Sequence, residues 1–236
     1  MTVAALYVDP NGVYANLPGV DLWDEERDAR LYDGPHPVVA HPPCARWSRL
    51  AGFTEARFGY KRGEDGGCFK AALEAVRTFG GVLEHPAFSA AWARYDLPRP
   101  TWHGGWTQSL TDPGASCYIE QGRYGLPVKK ATWLYACGVE LPELRWGYTP
   151  DGEGEEPNGP WGGIENWRDR WEKPEKGSHP RALSGAWRVN QHNGMRSSTP
   201  PPFRDALLEI ARTANVNAGR PLAEATSTRK GMGSSN

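Results

Sequence analysis

The chain has 236 residues and a formal net charge of −1, room for one α/β domain with a full core, with or without an insertion, and no global basic field advertising nucleic acid. Its four cysteines (Cys44, Cys68, Cys117 and Cys137) form no Cys-x-x-Cys pair, which argues against a zinc ribbon or a thioredoxin-like motif. The N-terminus lacks the basic flank of a signal peptide, and no apolar run nears the roughly 18 residues of a membrane span, so a soluble cytoplasmic protein with reduced thiols is expected. Local basic clusters do occur, at Arg57, Lys61 and Arg62 and at Arg123, Lys129 and Lys130. Eleven tryptophans and 49 Gly plus Pro residues (28 and 21) describe a loop-rich chain with rigid aromatic surfaces, suited either to a core or to stacking on a base.

In chain order, residues 4–8 read as an apolar strand ended by the turn Asp9-Pro10-Asn11-Gly12, and 20–24 as a second strand. Residues 37–40 form a third apolar run, stopped by Pro42 and Pro43, which lack N–H groups and restrict the residues before them. Apolar residues at 69, 72, 73, 76 and 79 have helical period and are followed by Gly80-Gly81, a helix with a glycine stop. Residues 82–86 are a short strand ended by proline, so 37–86 is a strand–helix–strand unit, by default parallel. Further strands are expected at 116–120 and 132–136. Residues 145–190 are rich in Gly, Pro, Glu and Trp without sustained period and read as an irregular insertion. An amphipathic helix is expected over 203–213, after Pro200-Pro201-Pro202. The division that results is an α/β core over 1–144, the insertion over 145–190, a returning segment over 191–216 and a disordered tail over 217–236.

The two proline-stopped strands carry the chemistry. A parallel pairing brings their C-terminal ends together, and in open α/β sheets ligands bind at that edge. It places His41 and Cys44, on a stiff Pro-Pro loop, near Glu84 and His85. A carboxylate beside a thiol raises the thiol's pKa, so Glu84 suits a partner of the substrate better than an activator of Cys44. One reaction uses that pair. A pyrimidine is inert at C5 until a nucleophile adds to C6, and hydrogen bonding or protonation at N3 makes the addition feasible.

His41-Pro42-Pro43-Cys44-Ala45-Arg46-Trp47-Ser48 resembles the Pro-Pro-Cys-x-x-x-Ser loop of DNA cytosine-5 methyltransferases. Leu83-Glu84-His85-Pro86 is similar to that family's Glu-Asn-Val motif, whose Glu contacts N3. Gln121-Gly122-Arg123 resembles the start of its Gln-x-Arg-x-Arg motif, which supports the base and the cysteine loop, with Gly125 where the family has its next Arg. The order and approximate spacing hold from 37 to about 136. The stretch from Glu120 through Lys129-Lys130-Ala131-Thr132, and Arg196-Ser197-Ser198 running through prolines into the last helix, look like the divergent, phage-borne members. The resemblance implies a Rossmann-like, class I methyltransferase-like fold, with a mostly parallel sheet and helices on both faces. It implies a DNA-modifying enzyme with Cys44 as nucleophile and Glu84, Gln121 and Arg123 as catalytic partners. His41, Trp47, Ser48 and His85 would then meet the substrate, and Lys129 and Lys130 the DNA phosphates. The base would have to be flipped out of the duplex, and 145–190 would occupy the place of sequence recognition.

The resemblance also implies S-adenosylmethionine. The family's Gly-rich turn after the first strand is replaced by Tyr7-Val8-Asp9-Pro10-Asn11-Gly12, so the cofactor half looks abbreviated. The expected contacts are Asp9, Asn11 and Gly12, with Pro42 of the cysteine loop, and Asp21 or Asp24 for the ribose. Without that cofactor the chain would use another one-carbon donor, need a partner subunit, or have lost catalysis. Three other readings stand beside the main one: a thymidylate-synthase-like enzyme acting on nucleotides, a metal site of His41, Cys44 and His85, and an inactive methyltransferase-like module that binds DNA or inhibits.

Overall fold

The computed structural model describes residues 1–48, 51–126, 129–148 and 199–214. Most of the insertion and all of the tail inferred from the sequence lie outside them. The core is a seven-stranded mixed sheet in the order β2-β1-β3-β4-β7-β6-β5. Its strands are β1 (Val3–Leu6), β2 (Val20–Trp23), β3 (Val38–Ala40), β4 (Gly81–Pro86), β5 (Thr107–Gln108), β6 (Ala115–Glu120) and β7 (Ala131–Cys137). β2, β1, β3 and β4 pair in parallel. β7 runs antiparallel between β4 and β6, and β5 antiparallel beside β6. Strand β6 therefore points the same way as β4, and the two end at the same sheet edge.

Burial follows from composition. All of β1 and β3 is 0% exposed, as expected of short, wholly apolar strands covered on both faces. β2, at the sheet edge, carries Asp21 and is half-buried throughout. Successive residues alternate between two cores. Ala4, Leu6, Val38, Ala40 and Leu83 meet the helix α2 (Cys68–Phe79), through Phe69, Ala72, Leu73 and Val76. Val3, Ala5, Val39 and Val82 face the last helix, α4 (Pro201–Arg212), through Phe203, Leu207, Leu208, Ile210 and Ala211. Two short helices, α1 (Ala51–Phe58) and α3 (Ala90–Arg94), lie in the loops after β3 and β4.

The link from β1 to β2, residues 7–19, contains turns but no helix. Its side chains Val13, Tyr14 and Leu17 join the core beneath α4, and Arg204 Nη1 of that helix donates to the Val13 carbonyl at 2.8 Å. α4 thus helps to cover the face above this helix-free crossover. Asp65 caps α2, accepting from the backbone N–H of Gly67 at 3.0 Å and of Phe69 at 2.8 Å. Gly81, at φ +141°, follows that helix, and a Cβ there would sit 2.0 Å from the Val38 carbonyl oxygen. The parallel pairing of β3 and β4 therefore requires glycine at this position.

The tryptophans also find a role. Trp47, Trp92 and Trp133 are buried with Phe69 in one aromatic cluster beneath α2 and α3. No described helix is long and apolar enough to cross a membrane, and all four cysteines are free thiols.

Candidate active site

The sheet grows from β1 first toward β2 and then, in the opposite direction, toward β3 and β4. The loops after β1 and β3 therefore diverge at the sheet's C-terminal edge, and such a divergence opens a crevice. The pairing of Ala40 with Leu83 puts His41 beside Glu84. The β3 ladder extends one bond further, from the His41 N–H to the Leu6 carbonyl at 3.0 Å. Pro42 is buried and Pro43 exposed. The chain then enters a tight turn in which the Cys44 carbonyl accepts from the N–H groups of Trp47 at 3.0 Å and Ser48 at 2.9 Å. This turn leaves Cys44 exposed at the rim of the crevice.

Glu84 is the centre of a buried polar network. Its Oε2 lies 3.0 Å from His41 Nδ1, and its Oε1 accepts from Gln121 Nε2 at 3.1 Å. Gln121 Nε2 also donates to Thr132 Oγ1 at 3.0 Å, and that hydroxyl donates to the Lys130 carbonyl at 3.2 Å. His41 Nε2 shares a 2.8 Å hydrogen bond with the Tyr14 hydroxyl. Strand order explains the meeting. Gln121 directly follows β6, Thr132 lies on β7, and β7 intervenes between β6 and β4. Gln121 Oε1 is buried without a partner among the described residues.

Burial pushes the Glu84 carboxyl up, but the His41 hydrogen bond and the charge of Lys130 outweigh it and hold the group down at about 2. Glu84 is therefore a carboxylate at neutral pH. An ionised carboxylate only accepts hydrogen bonds, so His41 Nδ1 carries a proton. In the neutral ring Tyr14 then donates to Nε2. The Cys44 thiol is pushed above its ordinary value, first by the protein mass behind its loop and second by Glu84, with Lys130 acting in the opposite sense. The residue itself is exposed, so proton loss to solvent is unobstructed.

Several expected site residues lie elsewhere. His85 is 0% exposed and sits against Phe69 and Trp92. Consecutive strand residues face opposite sides, so His85 enters the α2 core while Glu84 enters the network. Its ring nitrogens make no well-formed hydrogen bond among the described residues, although the Pro43 carbonyl is near enough to act on its titration. Trp47 is also a core residue, 4% exposed, donating from Nε1 to Asp65 Oδ2 at 2.7 Å and packed on Phe69 and Tyr95. Both side chains are thus packed in the core on the α2 side rather than presented with Cys44 and Glu84. Ser48 is half-buried, and its carbonyl accepts from the N–H of Ala51, the first residue of α1, at 2.9 Å. Arg123 is half-buried on the 3-10 turn Gln121–Tyr124, where its carbonyl accepts from Arg145 Nη1 at 3.1 Å. Lys130, rather than Arg123, is the cation whose charge acts on both Glu84 and Cys44. Lys129 beside it is exposed.

His85 lies on the opposite face of β4 from Glu84 and the His41 side of the network. Among the described residues no group of three or more His, Cys, Asp or Glu side chains is placed to hold a metal ion.

Burial pushes the His85 imidazole down to about 4, against the pull of Glu84. The unfolded chain binds a proton at this group below about pH 6.5 while the folded chain stays neutral down to about 4, so stability falls with pH across that window. Glu84 extends the loss below about 4.5, where unfolded carboxyls protonate first. In urea denaturation at stepped pH, His85→Phe is expected to remove about 2–3 kcal/mol of the loss between pH 6.5 and 4. An unchanged slope in that window would contradict the buried, neutral assignment.

At the ends of β1 and β2 an open cavity of about 530 Å³ is lined by Val8, Asp9, Pro10, Asp24, Glu25 and Glu26, within the range of small-molecule sites. Asp9 and Asp24, two of the residues expected from the sequence, line this cavity. Asn11, Gly12 and Pro42 do not line this cavity: the Asn11 N–H donates to Asp9 Oδ1 at 2.9 Å and the Gly12 N–H to the Asp9 carbonyl at 2.9 Å. Asp21 accepts from Arg27 Nη1 at 2.7 Å and from Trp23 Nε1 at 2.8 Å and does not line this cavity. Tyr7, at φ +60°, makes the turn directly after β1.

The chain matches no family model and no curated protein.

Proposed function

We propose that the chain is a DNA-modifying enzyme that acts at C5 of cytosine through a Cys44 adduct at C6, with one-carbon transfer to C5. The observation that carries this reading is the sheet-edge arrangement itself. An exposed thiol stands on a rigid Pro-Pro loop, electrostatically coupled to a carboxylate clamped by His41 and Gln121 and to the ammonium of Lys130. A strand order with a switch at β1/β3 and an antiparallel β7 inserted between β4 and β6 supports a Rossmann-like, methyltransferase-like assignment of the α/β sheet.

In this reading the Cys44 sulfur attacks C6 and the ring electrons move toward N3, where Glu84 receives the base's polar edge. C5 then becomes the nucleophile. Gln121 fixes the Glu84 carboxylate, and Lys130, with its exposed neighbour Lys129, supplies positive charge for the backbone of a flipped-out nucleotide. S-adenosylmethionine, when bound, supplies the methyl group; Asp9 and Asp24 would hold it. The Trp-rich stretch of 145–190 is the proposed DNA-recognition segment; beyond Tyr148 it lies outside the described residues. The Asp-Pro-Asn-Gly turn, in place of a glycine-rich cradle, favours one second reading, a DNA-binding module without catalysis.

The addition step alone is measurable without a donor. An adduct at C6 makes C5 exchange its hydrogen with solvent, so duplex DNA carrying tritium at cytosine C5 is expected to release label to water with the full chain. No release from either duplex or single-stranded DNA would contradict the reading.

A further inference from the structure

Resting on that reading, we infer that His41 and Tyr14 are a proton relay, positioning residues that deliver through Glu84 the proton that cytosine N3 takes up when Cys44 adds. Cytosine N3 is an acceptor, and so is the Glu84 carboxylate. Brought together unaltered they repel, and the ring stays unactivated. The network can hold one proton in a position to resolve this: in the imidazolium form of His41, protonated from solvent, the proton on Nδ1, 3.0 Å from Glu84 Oε2, can leave and the ring stays a neutral imidazole with its proton on Nε2. Passed to Glu84 and on to N3, the Nδ1 proton makes the base's polar edge a donor partner at the moment charge develops there.

The balance closes. The Cys44 thiol gives its proton to water and forms the S–C6 bond. The C5–C6 π bond breaks, and its electrons are taken up through the ring at N3, which gains the proton of the His41–Glu84 pair. The pair is re-protonated from solvent, and the steps reverse when the thiolate leaves.

Tyr14 makes the chain work in both directions. A phenol accepts as well as donates, so its hydroxyl, 2.8 Å from Nε2, donates to the resting ring protonated on Nδ1 and accepts from Nε2–H both in the imidazolium and in the neutral ring left once Nδ1 has given up its proton. Tyr14 is 3% exposed, and burial followed by the Glu84 charge pushes its own pKa well up, which keeps it a neutral partner rather than a proton source. The other charges facing it, Arg204 and Asp205, come from α4. Burden falls on this side of the reaction because the thiol is a poor thiolate at neutral pH. An activated ring offsets a weakly ionised nucleophile.

The test is donor-free release of tritium from cytosine C5 by the full chain. His41→Ala is expected to slow release about 100-fold, the scale of a lost general acid, and 50 mM-range imidazole in the buffer (on the order of ten times a weak cavity affinity) is expected to restore much of it. His41→Gln keeps an N–H for Glu84 but transfers no proton, and is expected to be as slow as His41→Ala and not rescued. Tyr14→Phe, which leaves the fold's apolar contacts in place, is expected to slow release several-fold. Circular dichroism and thermal unfolding check each fold. Wild-type rates in His41→Gln or Tyr14→Phe would overturn the relay while leaving the adduct reading intact. No release by the wild-type chain would overturn both.

Discussion

Cys44→Ala is expected to abolish tritium release from cytosine C5, by at least about 1,000-fold as for loss of a covalent nucleophile, while leaving DNA affinity and thermal stability nearly unchanged. The asymmetry follows from where the residue sits. The turn after β3 is held by the Cys44 carbonyl, not its side chain, and the side chain is exposed, so truncation to alanine opens no cavity in the core. Without sulfur no bond forms at C6, whatever Glu84 and Lys130 do. A variant that keeps release would move the nucleophile elsewhere. A wild-type chain that binds DNA but shows no difference from Cys44→Ala in any assay would favour the non-catalytic module.

The second large effect is structural. Trp47→Ala is expected to destabilise the fold by about 3–5 kcal/mol, the usual range for deleting a buried aromatic side chain. Trp47 packs on Phe69 and Tyr95 and satisfies Asp65, which also caps α2. Its loss therefore opens a cavity and frees the carboxylate that starts the helix joining β3 to β4. Chemical denaturation measures this directly. A variant within about 1 kcal/mol of wild type would contradict the assignment of Trp47 to the core and return it to the substrate side.

The same motif thus serves two faces. His41 and Cys44 serve the crevice, whereas Trp47, only three residues later, anchors the loop from behind. The Pro-Pro stop, the helix after it and the second proline-stopped strand are all legible in the sequence, because proline chemistry and helical period are local. The parallel pairing that brings His41 to Glu84 follows from the default for a strand–helix–strand unit. What escapes is non-local. Tyr14 reaches His41 across 27 residues because the helix-free β1–β2 link folds over the sheet edge, and nothing in Val13-Tyr14-Ala15 marks that path. The entry of β7 between β4 and β6, which delivers Gln121 to Glu84, is likewise a matter of sheet assembly rather than of any one segment. His85 is the exception. Alternation along β4 places it opposite Glu84, so a strict period-two reading assigns it to the core, whereas motif adjacency alone groups it with Glu84.

The acidic residues after β1 and β2 divide for a similar reason. Asp24 follows the strand and lines the cavity, whereas Asp21, within β2, is paired with Arg27, which also stacks 4.0 Å from the Trp23 ring centroid. The arginine's return from six residues downstream is a turn effect that composition does not reveal.

The central claim, that Cys44 bonds to C6 of cytosine in DNA, is tested most directly by mass spectrometry of the wild-type chain incubated with S-adenosylmethionine and duplex DNA containing 5-fluorocytosine. Fluorine at C5 cannot leave as a cation, so an adduct that has received a carbon at C5 stays covalently attached. The account predicts one DNA cross-link, mapped to the peptide bearing Cys44. A cross-link on another residue, or DNA that gains a methyl group at C5 of ordinary cytosine when Cys44 is replaced by alanine, would contradict it.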